Sequence, residues 1–76
     1  EQEHGLAERD LHALLERALA GLPARTRSIF IMHRFNEMAY REIHHELGIS
    51  VATVEYHMMR ALAHIRIELA GQSDHP

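Results

Sequence analysis

The 76-residue chain, of 8.8 kDa, is long enough for one small domain, and its 46% hydrophobic and 25% charged residues are typical of a globular protein. It has no cysteine, which excludes disulfides, zinc–thiolate sites and cysteine nucleophiles, and no apolar run approaches the roughly 18–20 residues of a membrane span. The net charge is −3, all eight basic residues are arginine, and eight histidines accompany them.

The N-terminal part predicts a linker followed by an amphipathic helix. Residues 1–9 are mostly polar and begin with Glu1 rather than Met, so we interpret them as the linker remnant of a longer protein. Asp10 is expected to cap the helix and Gly21 to end it. Apolar residues recur every three or four positions, which predicts one buried face. These are Leu11, Leu14, Leu15, Ala18, Leu19 and Leu22.

Two shorter helices are predicted next. The second helix is expected from about Pro23 to Phe35, with proline in its first turn, and Asn36-Glu37 breaks it. Most of its buried surface is expected from Ile29, Phe30, Met32 and Phe35. The third helix covers about residues 40–47.

A long last helix is predicted over about residues 51–69, with Ser50 as its N-cap. Residues 71–76 are expected to form a flexible tail. No segment alternates as a strand does, so the fold class is all-α, with four helices forming one domain over residues 10–70. The inward stripe of the last helix is Val54, His57, Met58, Ala61, Leu62, Ile65 and Leu69.

Residues 40–57 have the spacing of a helix-turn-helix. Such a motif needs apolar residues on both helices and a turn residue that tolerates a left-handed backbone. These positions are filled by Ile43, Leu47, Gly48, Ile49 and Val54. Spacing alone leaves open an ordinary helix–glycine–helix hairpin.

Several longer motifs favour a helix-turn-helix over an ordinary hairpin. They are Leu22-Pro23 with Arg25 and Arg27, Tyr40-Arg41-Glu42-Ile43, residues 47–50, Thr53-Val54-Glu55, His57-Met58 and residues 60–66. Together they resemble region 4 of bacterial sigma factors of the extracytoplasmic-function group. Residues 53–62 look most like the iron-uptake subgroup, typified by ferric citrate regulators. Response-regulator output domains share Thr-Val-x-x-His but normally lack the later Arg-Ala-Leu-x-x-Ile-Arg run.

The resemblance implies a function in transcription initiation. Region 4 recognises the minus-35 promoter element while it is bound to core RNA polymerase, whose beta-subunit flap holds it. The expected protein is therefore a non-enzymatic, cytoplasmic bacterial DNA-binding domain without a cofactor. An anti-sigma factor or transmembrane sigma regulator is a further expected partner. Because the net charge is −3, we expect weak DNA binding near neutral pH without the polymerase.

The resemblance also implies a set of DNA-binding residues. Tyr40 and Arg41 are expected to contact phosphate, and the recognition helix is expected to present its outer face to the major groove. Helical spacing places positions 52, 55, 56, 59 and 60 on one face, opposite the apolar stripe. The residues expected in the groove are Val51, Ala52, Glu55, Tyr56, Met59 and Arg60.

Three positions depart from the family pattern. His44 occupies the close helix crossing where alanine is usual, so we expect its ring either to separate the helices or to turn outward. Ala39 replaces a capping Ser or Thr, which costs about 1 kcal/mol. The region around Tyr56 lacks the lysine or arginine of many relatives, so the recognition face is less basic.

Two alternative functions remain at this point, and two others are disfavoured. A metal site is disfavoured because His44-His45-Glu46 lacks the second histidine of a metalloprotease motif, and an enzyme lacks any nucleophile–base pair or phosphate loop. The chain could instead be a protein-binding module held by a membrane regulator. It could also be a response-regulator output domain.

Overall fold

The fourth helix is the element on which the rest of the fold packs. The computed structural model describes residues 8–73 and contains four helices there: α1 (Glu8–Ala20), α2 (Ala24–Arg34), α3 (Tyr40–Leu47) and α4 (Val51–Ser73). Helix α4 contacts α1, α2 and α3, and α2 also contacts α3. No strand occurs in the described part of the chain, which confirms the all-α prediction.

Most predicted boundaries agree with the structure. Helix α3 has the predicted bounds and α1 ends before Gly21, but α4 continues four residues beyond Leu69. Asp10 does not cap α1, because the helix already begins at Glu8. Residues 1–7 and 74–76, which hold most of the predicted linker and half of the predicted tail, lie outside the described residues.

The core is built from one face of each helix. The stripe of α4 supplies four fully or almost fully buried side chains, and α2 supplies two large ones. Burial of such side chains contributes about 1.5–3 kcal/mol each and is the main source of stability in a domain of this size. The buried apolar residues are Ala18, Leu22, Ile29, Phe30, Ile43, Val54, Met58, Ala61 and Ile65.

Three residues predicted to be buried are exposed instead. Leu11 is 51% exposed, Phe35 53% and Leu62 41%. Phe35 follows the last residue of α2 and contacts Phe30 edge-on, with ring centroids 6.3 Å apart, so only part of its ring is covered. Leu62 lies at the margin of the α4 stripe, where no neighbouring helix covers it fully.

The connection between α1 and α2 is held by an arginine. Arg27 donates from Nε to the carbonyl of Leu19 (3.0 Å) and from Nη2 to the carbonyl of Leu22 (3.1 Å). These bonds tie α2 to the last turn of α1 and to the residue before Pro23; the carbonyl of Leu19 also accepts the N–H of Leu22 at 3.0 Å. A Cβ at Gly21 would lie 2.8 Å from Nε2 of His64, so glycine is needed for α1 to approach α4 this closely.

A polar contact joins α2 to α4 beside the core. The hydroxyl of Thr26, which is fully buried, forms a hydrogen bond of 2.8 Å with Nδ1 of His57. Burial lowers the pKa of His57 below its ordinary 6.5, and the positive charges of Arg60 and Arg25 lower it further. The neutral imidazole is therefore the form that the folded chain favours.

We expect His57 to make the fold sensitive to acid. Because the pKa of His57 is lower in the folded than in the unfolded chain, its contribution is complete above about pH 6.5 and decreases as the pH falls toward the folded pKa. Urea unfolding of the parent chain at about pH 7.5 and about pH 5.5 should therefore show lower stability in acid. His57→Gln should remove part of that difference, whereas His45→Gln, at an exposed position, should leave it intact. The same pH dependence in His57→Gln and the parent would contradict this account.

Candidate nucleic-acid interface

The turn between α3 and α4 sets the direction of the recognition helix. Gly48 adopts a left-handed backbone (φ 68°) and its N–H donates to the carbonyl of His44 at 2.9 Å, which closes the end of α3. Ser50 caps α4 as predicted, because its Oγ accepts the N–H of Thr53 at 3.0 Å. Helices α3 and α4 thus form the predicted helix-turn-helix.

His44 adopts the second of the two arrangements expected from the sequence, because its ring turns away from the helix crossing and lies 5.4 Å from the ring of His45. The ring is half-buried and donates from Nδ1 to the carbonyl of Ile49, at 2.5 Å. The imidazole therefore lies along the turn and bonds to it, and α3 packs on α4 through the fully buried Ile43 and Val54. The sequence did not predict the bond, because spacing predicts how much room a side chain has but not which acceptor its ring can reach.

The first turn of α3 positions the two predicted phosphate contacts. Ala39 makes no side-chain cap, as expected, but Oε1 of Glu42 accepts the N–H of Ala39 at 2.7 Å and supplies one half of a capping box. Tyr40 is half-buried, with its ring 4.8 Å from that of His33. Arg41 is exposed. The ring contact restricts Tyr40, whereas the guanidinium of Arg41 extends into solvent.

Helix α4 exposes all six residues predicted for the major groove: five lie on its outer face, and Val51 lies in its first turn. Each of them is exposed; Tyr56 is 52% exposed and Met59 68%. We call these six the recognition face: Val51, Ala52, Glu55, Tyr56, Met59 and Arg60. The opposite side of the same helix is the core stripe, so packing fixes the orientation of this face.

Tyr56 and Arg60 form a pair on the recognition face. Nη1 of Arg60 donates to the hydroxyl of Tyr56 at 3.4 Å, and the guanidinium carbon lies 5.7 Å from the centre of the tyrosine ring. Residues four apart meet on one side of a helix, and a cation over an aromatic face contributes about 0.5–1 kcal/mol at an exposed site. The pair therefore orients the arginine before any ligand binds.

Comparison with known proteins agrees with this geometry. The family model described as sigma-70, region 4, matches residues 12–65, which include α2, α3, most of α1 and α4, and the recognition face. The chain belongs to the sigma-70 region 4 family. This confirms the resemblance stated from the motifs. The assignment favours a sigma factor over a response-regulator output domain, and the family is one of non-enzymatic DNA-binding domains.

One similar characterised protein agrees with the predicted subgroup. The ferric citrate uptake sigma factor of Escherichia coli (strain K12) is 35% identical over 51 residues. Those residues make up 67% of this chain and 30% of that protein. The chain thus spans less than a third of the length of this relative.

The residues predicted to bind DNA did not include Arg25, a basic residue that lies near His57 of α4. Arg25 is exposed in the first turn of α2, next to Thr26, and its charge acts on His57 together with that of Arg60. The hydrogen bond between Thr26 and His57 therefore brings a second cation to the side of α4 that carries Arg60. The Leu-Pro-x-Arg motif contained this residue, but only the packing of α2 on α4 shows where it lies.

Other kinds of site find no support in residues 8–73. No three His, Cys, Asp or Glu residues within that range converge on a position that could hold a metal ion. None of the described helices combines the length and the apolarity needed to cross a membrane. A half-open apolar groove of about 320 Å³ lies between α1, α2 and α4. We call it the α1–α2–α4 groove, lined by Leu15, Phe30, Arg34, Phe35, Leu62 and Ile65.

Proposed function

We propose that this region 4 domain recognises the minus-35 element of promoters for an alternative sigma factor in the bacterial cytoplasm, while docked on core RNA polymerase. The observation that carries the proposal is the recognition face: six exposed residues, five of them on the side of α4 opposite the core and Val51 in its first turn. B-DNA's major groove is about 12 Å wide and admits one α-helix. Helix α4 enters it by its N-terminal half.

The residue types on the recognition face suit both base and backbone contacts. Val51 and Ala52 are small, which allows the start of α4 to approach the base edges closely. Arg60 has the geometry to bind a guanine edge or a phosphate, and Glu55 is suited to accept from a cytosine amino group. Tyr56 combines a hydroxyl for phosphate with a ring for a thymine methyl. Tyr40 and Arg41 at the start of α3 hold the adjacent phosphates.

The polymerase supplies the affinity that the domain lacks. Exposed cations at Arg25, Arg41 and Arg60 lie on α2, α3 and α4, but Glu55 lies among the recognition residues and the chain carries net −3. Counterion release by so few cations gives only weak binding at physiological salt. Docking on the polymerase compensates by raising the effective concentration of the domain at the promoter.

The α1–α2–α4 groove suits a protein partner. Its apolar lining includes Phe35 and Leu62, which the described helices cover only in part, and exposed apolar patches of this kind mark protein contacts. We propose that the beta-subunit flap of core RNA polymerase docks there. A transmembrane sigma regulator or anti-sigma factor that covers the same groove would hold the domain away from the polymerase, which is the second candidate function.

We expect Arg60→Ala to weaken promoter recognition by about 1–3 kcal/mol if the guanidinium binds a base. Arg60→Lys decides between base and phosphate, because lysine keeps the charge but loses the two-point geometry. In vitro transcription with the full-length protein and core polymerase, on the promoter and on base-substituted variants, measures the effect. Arg66→Ala is the matched control, since it removes the same charge from an exposed position of α4 outside the recognition face. Unchanged output from Arg60→Ala would remove this residue from the interface.

We expect Leu62→Glu to reduce the affinity of the 76-residue chain for core polymerase by about tenfold or more, because it buries a charge in an apolar contact. Fluorescence anisotropy of the labelled chain with core polymerase measures the affinity. The control is Ile67→Glu, which makes the same change at a position of α4 that is 69% exposed and outside the groove. Equal binding by the two variants would exclude the groove as the docking site.

A further inference from the structure

The carbonyl of Ile49 needs a donor that α4 does not provide. The first carbonyl in the hydrogen-bond ladder of α4 is that of Ser50, which accepts the N–H of Val54 at 3.1 Å. The N–H of Thr53, which lies four residues after Ile49, bonds instead to Oγ of Ser50. In this part-buried turn, a side-chain donor is the partner that the fold can still offer to the carbonyl of Ile49.

His44 is that partner, and it bonds to the turn at both ends. Its own carbonyl accepts the N–H of Gly48 at 2.9 Å, while its Nδ1 donates to the carbonyl of Ile49. The last turn of α3 and the residue that precedes the cap of α4 are thus joined by one side chain. An alanine here would keep the first bond and lose the second. Because a carbonyl only accepts, the bonded imidazole carries its proton on Nδ1.

We propose that His44 is a positioning residue for promoter recognition: its bond to Ile49 fixes where α4 begins and how its first turn is oriented. The first turn carries Val51 and Ala52, and Glu55 lies one turn further along α4. The inference rests on the proposed function, because it assigns to His44 an effect on DNA recognition that acts through the residues at the start of α4. His44 lies on the turn and is not one of the recognition residues.

The tautomer of His44 tests the bond directly and requires no DNA. Two-dimensional ¹⁵N NMR of the imidazole rings distinguishes a protonated Nδ1 from a protonated Nε2 in the neutral ring. We expect the proton on Nδ1 of His44, with slowed exchange of that proton. The exposed neighbour His45 serves as the internal reference, with exchange as fast as in a free histidine. An unprotonated Nδ1 at His44 would overturn the inference whatever the chain binds.

Two substitutions then distinguish the effect of the hydrogen bond from the effect of the size of the side chain. His44→Ala removes the donor, whereas His44→Asn restores an N–H at nearly the place of Nδ1. We expect His44→Ala to lower the folded-to-unfolded ratio in urea about tenfold and the affinity for a cognate duplex by a similar factor. His44→Asn should recover most of both. His45→Ala is the matched control and should behave as the parent.

The binding assay uses the 76-residue chain, at a temperature where every variant is folded by circular dichroism. The duplex is selected from a randomised library by the polymerase holoenzyme, and a scrambled duplex measures non-specific binding. We expect His44→Ala to reduce the preference for the selected duplex, with the salt dependence unchanged because no phosphate contact is lost. A stable parent without any preference would contradict the proposed function. A parent with a preference that His44→Ala retains, or that His44→Asn fails to restore, would overturn the positioning role alone.

Discussion

The structure depends on the use of both sides of one helix. Val54, Met58, Ala61 and Ile65 form the buried side of α4 and hold the other three helices together. The recognition face is the other side of the same helix. Because the core is closely packed, it holds the residues of the recognition face in a fixed orientation. The interface therefore does not move independently of the fold. Any substitution in the buried stripe will disturb recognition through the orientation of α4.

The histidines complete this arrangement at the helix junctions. Nδ1 of His33 donates to the carbonyl of Met38 at 2.9 Å between α2 and α3, and His44 donates to Ile49 between α3 and α4. His57 joins α4 to α2 through Thr26. A domain of this size has a small apolar core, so hydrogen bonds that fix the connections add to its definition. These three bonds account in part for the high histidine content.

The sequence predicted the parts of the fold that depend on local pattern. Gly48 and Ser50 determine the turn through a left-handed backbone and a side-chain cap, and both requirements are visible in the residue types. The prediction that Leu62 and Phe35 are buried was wrong, because periodicity predicts which face of a helix is apolar but not how far a neighbouring helix extends over it. The place of Arg25 near His57 required the packing of helices distant in sequence, and the bond of His44 to Ile49 required the orientation of a ring. The spacing of residues in the sequence predicts neither of these two features.

The central claim is that the recognition face of α4 contacts DNA while its buried side holds the fold. Titration of the isotope-labelled 76-residue chain with the selected duplex, followed by NMR, tests it most directly and suits weak binding. The account predicts that the largest shift changes and the contacts between protein and DNA protons occur at Ala52, Glu55, Tyr56, Met59 and Arg60. Changes confined to the α1–α2–α4 groove, with the signals of the recognition face unmoved, would contradict it.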